Sequence, residues 1–115
     1  MTCIVGLEHN DTVYIGADSM AASGNDGRSV QSPKVFDVDG RFLIGYRGKL
    51  YNVDNDFQIL RFTDGFHAVG CGAPYALGAM FTTYNMPPYE RVGAALRAAA
   101  KFSNGVMGPF VTRDL

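Results

Sequence analysis

Two segments near the start of the chain are apolar or small on both sides of an extended backbone, and this restricts the fold more than any other feature. In the first, Cys3, Val5 and Leu7 alternate with Thr2, Ile4 and Gly6. The second, Thr12 to Ala17, has the same character. A strand with one face in water alternates apolar with polar residues, whereas a strand buried on both faces does not. Joined across the turn-like run Glu8-His9-Asn10-Asp11, the two segments read as a hairpin in a sheet covered on both sides.

The rest of the chain supplies what would cover it. Ala22 to Pro33 is polar and glycine-rich and reads as a loop. Strands are expected at Lys34–Val38, Arg41–Tyr46, Lys49–Val53, Phe57–Leu60 and Phe66–Val69, with Asp39-Gly40, Arg47-Gly48 and Asp54-Asn55-Asp56 as turns. The period then changes. Pro74 to Tyr84 is rich in Ala, Leu and Met, and proline suits a first helical turn. After Pro87-Pro88, Tyr89 to Asn104 places Val92, Ala95, Leu96, Ala99 and Phe102 on one helical face, with Gly105 as the stop. Val106–Thr112 reads as a last strand. Strands first and helices late predict an α+β fold, in one domain spanning residues 1–115.

Composition excludes several functions. With 10 basic and 11 acidic residues there is no basic excess to hold nucleic acid or an anionic membrane. No apolar run is long enough to span a bilayer, and the first residues lack the pattern of a signal peptide, so a cytoplasmic protein is expected. Two cysteines, Cys3 and Cys71, are too few for a disulfide scaffold, and with His9 and His67 they do not make zinc spacing. They read as small buried thiols, with no metal site and no cofactor expected.

The residues that bear chemistry begin at Thr2. Removal of Met1 would put a hydroxyl and a free amine on one residue. A hydroxyl is a weak nucleophile without a base. An α-amine, with a pKa of roughly 7.7–8.0, is partly neutral at physiological pH and can take the hydroxyl proton. Asp18 ends an apolar strand and Lys34 opens another, so each would need a partner if buried. An ammonium near Thr2 would lower the amine's pKa and stabilise an alkoxide, with Asp18 holding the ammonium in place. Read alone, the same residues are also consistent with a strand-end Asp in a turn and a solvated Lys.

Thr2, Ile15-Gly16-Ala17-Asp18-Ser19 and Lys34-Val35-Phe36 resemble the N-terminal signature of proteasome β-type subunits and the bacterial HslV-type peptidase. Ala68 to Gly78 is similar to that family's Gly-Ser-Gly motif and the helix after it, and the blocks follow in the family's order. The nearest resemblance is to short proteasome-like proteins of phages and bacteria. It implies an N-terminal nucleophile hydrolase sandwich: two mainly antiparallel sheets between helix layers. It also implies peptide-bond hydrolysis through an acyl-enzyme on Thr2, with Asp18 and Lys34 completing the catalytic set. A polypeptide substrate, a homo-oligomeric ring and an ATP-dependent unfoldase follow as partners.

The chain departs from that pattern in the middle. Phe36 to Tyr51 passes from strand to strand with no helical period, so one helix layer is missing. Gly48 stands near the count of the glycine whose N–H serves the oxyanion in the family. Cys71 replaces the motif's serine, and Lys101 takes the place of a supporting acidic residue. Three further readings stay open: an inactive assembly subunit of the same fold, an amidase acting on a small amide, and a Cys71 nucleophile.

Overall fold

The computed structural model describes residues 3–18, 34–38, 41–54, 56, 58–106 and 108–114, with 34–38 and 41–42 in their backbone only. The elements are β1 (Cys3–His9), β2 (Thr12–Ala17), β3 (Lys34–Val38), β4 (Arg41–Tyr46), β5 (Lys49–Val53), β6 (Ile59–Leu60), β7 (Phe66–Gly70), α1 (Ala73–Thr82), α2 (Pro88–Phe102) and β8 (Val111–Asp114). They form two four-stranded sheets, ordered β7-β1-β2-β8 and β3-β4-β5-β6. Every strand pairing in them is antiparallel. The chain is thus the α+β sandwich that the sequence predicts.

The central strands β1 and β2 are buried on both faces, for the reason their composition gives. On one side Ile4, Val13, Ile15, Ala17 and Val69 meet Leu43 and Leu50 of the second sheet. On the other, Cys3, Val5, Leu7 and Ala68 pack under Ala76 and Met80 of α1 and Val92, Ala95, Leu96 and Ala99 of α2. Gly16 lets α2 come close, since a Cβ there would lie 2.3 Å from a Val92 methyl. Both helices cover the first sheet; among the described residues, none covers the outward face of the second, where Ile44, Tyr51 and Val53 are half-buried. Among the described residues, the helix layer that is missing is therefore the one over the second sheet.

The two sheets are pinned at one point by a carboxylate. Glu8 accepts the Leu50 N–H at 3.0 Å and an Arg61 guanidinium N–H at 2.8 Å. Burial works to raise the Glu8 pKa, but these donors and the charge of Arg61 hold it below its ordinary value. β1 touches β3 and β4 as well as β5, so it crosses the second sheet obliquely. Its Gly6–Glu8 part lies on Leu50 of β5.

Some boundaries differ from the sequence reading. α1 ends at Thr82, where the Thr82 and Thr83 hydroxyls donate to carbonyls of the last turn. α2 ends at Phe102, two residues early, and Phe102 is 61% exposed instead of facing the core. The last strand begins at Val111, not Val106: Val106 is buried under the helices, and Pro109, which has no N–H for a ladder, follows it. The Ala22–Pro33 loop, the Asp39-Gly40 turn and Phe57 lie outside the described residues. No helix among the described residues is long and apolar enough to cross a membrane.

Candidate functional site

The β1–β2 ladder sets the site. Its last regular pair is Ile4 with Ala17, which brings the next residue on β2, Asp18, opposite Cys3. The pairing continues one step: the Asp18 N–H donates to the Cys3 carbonyl at 3.2 Å, and the Cys3 N–H donates to Asp18 Oδ1 at 3.4 Å. Asp18 has 0% of its surface exposed. A carboxylate withdrawn from water needs donors, and one of them is the amide that follows Thr2. Thr2 itself lies outside the described residues.

The turn between β7 and α1 closes the same corner. Cys3 pairs with Gly70, which takes φ +102°, a conformation open to glycine. Gly72 then lies so close that a Cβ on it would stand 2.7 Å from the Ala99 Cβ and 3.2 Å from the Cys3 Cβ. Between these glycines, Cys71 is exposed, and its Sγ lies 3.4 Å from the Ser103 Oγ at the C-terminal end of α2. The expectation of two buried thiols thus holds for Cys3 and not for Cys71, which stands in a turn at the surface.

The remaining candidates are placed less directly. Lys34 opens β3, its backbone paired with Gly45; the ammonium lies outside what the structure describes. Gly48 sits in the β4–β5 turn at φ +76°, where a Cβ would fall 2.3 Å from the Asp11 carbonyl oxygen. Asp11 is at the far end of the β1–β2 hairpin from Asp18, about 20 Å away at roughly 3.3 Å per residue. Gly48 therefore packs one hairpin turn on another. Lys101 is exposed with its ammonium over the Phe102 ring, 5.9 Å from the centroid.

Ser103 is the residue that sequence reasoning missed. Running α2 on to Asn104 hid it inside the helix. With the helix ended at Phe102, Ser103 becomes the first residue past the end, where a hydroxyl can turn to a neighbouring element. Among the described residues, no cluster of His, Cys, Asp or Glu could hold a metal ion.

The corner has a measurable electrostatic signature. Burial first, then the Asp18 carboxylate and then Cys71, push the Cys3 thiol up to about 12 from 9.0. The folded state thus keeps a proton that the unfolded chain gives up. Its contribution to stability is complete below pH 9 and is lost as pH rises towards 12. Over that window unfolding free energy should fall by up to about 1.4 kcal/mol per pH unit. Denaturant titrations of wild type and Cys3→Ala at several alkaline pH values check this. Equal slopes in the two proteins would contradict the buried, charge-flanked thiol.

No family model matches the chain, and no curated protein matches it. Solved structures do. It is similar to the eukaryotic HslV of Trypanosoma brucei, with 12% identity and a TM-score of 0.78 over 99% of each chain. It is similar to BPH of Thiobacillus denitrificans, with 16% identity and a TM-score of 0.74 over 99% of this chain and 97% of that one. BPH in complex with epoxomicin matches equally, at 16% identity and a TM-score of 0.74 over 99% and 98%. At these identities the likeness establishes the fold alone, an HslV-like fold.

Proposed function

We propose that this chain is a threonine-type peptidase subunit that hydrolyses peptide bonds through an acyl-enzyme on Thr2. The observation that carries the reading is the buried Asp18 carboxylate, fixed on the amide of the residue after Thr2, within an HslV-like fold. In the first step the Thr2 Oγ attacks the scissile carbonyl carbon and its proton passes to the Thr2 α-amine. The tetrahedral intermediate collapses, the C–N bond breaks, and the leaving amine takes that proton. Water then attacks the ester on Thr2 by the reverse proton route and frees the acid.

Asp18 and Lys34 have complementary tasks in this scheme. A carboxylate alone near the terminus would favour the charged amine and spoil it as a base. The Lys34 ammonium offsets this and stabilises the developing alkoxide. β1, which follows Thr2, and β3, which Lys34 opens, belong to sheets that touch, since β1 contacts β3. Gly48, whose backbone lies against Asp11, stays the candidate oxyanion donor within the same proposal. Assembly into a homo-oligomeric ring fed by an ATP-dependent unfoldase in the cytoplasm belongs to the same proposal.

Two specific observations favour a second reading, an assembly subunit of weak or no activity. They are the outer face of the second sheet, which no helix among the described residues covers, and the exposed Lys101 in the place of a supporting acidic residue. Intact mass and inhibitor labelling separate the two. A peptidase should lack Met1 and should bind epoxomicin, the ligand of the BPH complex, one molecule per chain. A chain that keeps Met1 has its amine on the wrong residue, and the peptidase reading fails. A processed chain that epoxomicin never modifies supports the assembly subunit.

A further inference from the structure

The chain has two cysteines, from distant parts of the sequence, and both end at the N-terminal corner. The turn that carries Cys71 wraps around Cys3: Gly70, before it, pairs with Cys3 in the ladder, and Gly72, after it, would place a Cβ 3.2 Å from the Cys3 Cβ. One step beyond a paired residue puts two Cα atoms about 6 Å apart, inside the range of roughly 4.4–6.8 Å that a disulfide spans. Both side chains lie on the α2 side of the sheet. Cys3 packs in the cluster with Ala99, and the Cys71 Sγ meets Ser103, one helical turn further on. Cys71 is exposed to oxidants while Cys3 is shielded.

We propose that Cys3 and Cys71 are a redox pair, closing to a disulfide under peroxide and so locking the corner that holds Thr2. The Cys71 thiolate attacks one peroxide oxygen; the O–O bond breaks, and hydroxide leaves and is protonated to water. The Cys3 sulfur then attacks the sulfenic sulfur of Cys71; the S–O bond breaks, and the hydroxyl leaves as water with the Cys3 proton. Two thiols are oxidised and one peroxide is reduced to two waters. The high pKa of Cys3 makes the second step slow at neutral pH and faster as pH rises. Bridging pulls the Cys71 sulfur away from Ser103 and ties the residue after Thr2 to the turn. The effect on catalysis rests on the threonine-peptidase reading; the disulfide does not.

The test treats reduced wild type with hydrogen peroxide, then denatures, alkylates with iodoacetamide and measures intact mass. The expected product is a monomer lighter by two hydrogens that takes up no alkylating agent and is restored by dithiothreitol. Cys71→Ser, an exposed and near-isosteric change, should show no two-hydrogen loss. In parallel, epoxomicin labelling of oxidised wild type should fall about tenfold and recover on reduction, while peroxide-treated Cys71→Ser labels as before. Oxygen added to Cys71 with Cys3 still alkylated, or a disulfide-linked dimer, overturns the pair. A disulfide that leaves epoxomicin labelling unchanged overturns the lock. Reduced protein that never labels removes the peptidase reading instead, and the mass result alone then decides the pair.

Discussion

Thr2→Ala is expected to reduce peptide hydrolysis by about three orders of magnitude or more, because groups that act as one nucleophile–base unit fail together when either is lost. The variant keeps a free terminal amine but has no hydroxyl to activate. Lys34→Ala should be nearly as severe, since the buried Asp18 charge would then act on the terminal amine unopposed. Cys71→Ala should change the rate no more than about threefold, because a thiol is a weak hydrogen-bond partner. Wild-type turnover should rise with pH through the amine's range of roughly 7.7–8.0. Initial rates on a fluorogenic peptide, with epoxomicin labelling as a count of competent sites, give all four results. If Cys71→Ala is dead while Thr2→Ala is active, the nucleophile is the thiol and the mechanism above is wrong.

The part of the site legible in the sequence is the part that a strand ladder determines. Asp18 was readable in part: it ends the apolar strand Thr12–Ala17, so it would need a partner if buried, and it is buried with the Cys3 amide donating to it. The fold class was readable from the same strands and from the spacing of Val92, Ala95, Leu96 and Ala99. Gly48 was readable as a turn residue and no further. Its glycine identity answers two local demands, φ +76° and the closeness of Asp11, and neither depends on an oxyanion. A count of residues from Thr2 cannot register that the β4–β5 hairpin closes directly, without the helices that would otherwise follow. Ser103 and Glu8 were hidden for another reason. Each works through a partner far along the chain, Cys71 for one and Leu50 with Arg61 for the other, and neither pairing leaves a local pattern.

Leu96→Ala should destabilise the fold by about 2–5 kcal/mol, whereas Phe102→Ala should cost well under 1 kcal/mol. The sequence puts both residues on one face of α2, so periodicity alone gives them equal weight. The structure separates them. Leu96 is fully buried, seated on the first sheet with a methyl 3.0 Å from where a Gly16 Cβ would be, so its removal leaves a void between helix and strand. Phe102 ends the helix, 61% exposed, and its ring contacts are Tyr75 at 5.8 Å and the Lys101 ammonium. A domain of this size has roughly 6–17 kcal/mol of stability at the usual 0.05–0.15 kcal/mol per residue, so the Leu96 loss is a large share of the total. The consequence reaches the site, because α2 delivers Ser103 to Cys71 and Ala99 to Gly72. Urea unfolding of the two variants measures the difference directly. Equal losses would mean that α2 is rotated or longer than described, with Phe102 in the core and Ser103 turned away from the N-terminal corner.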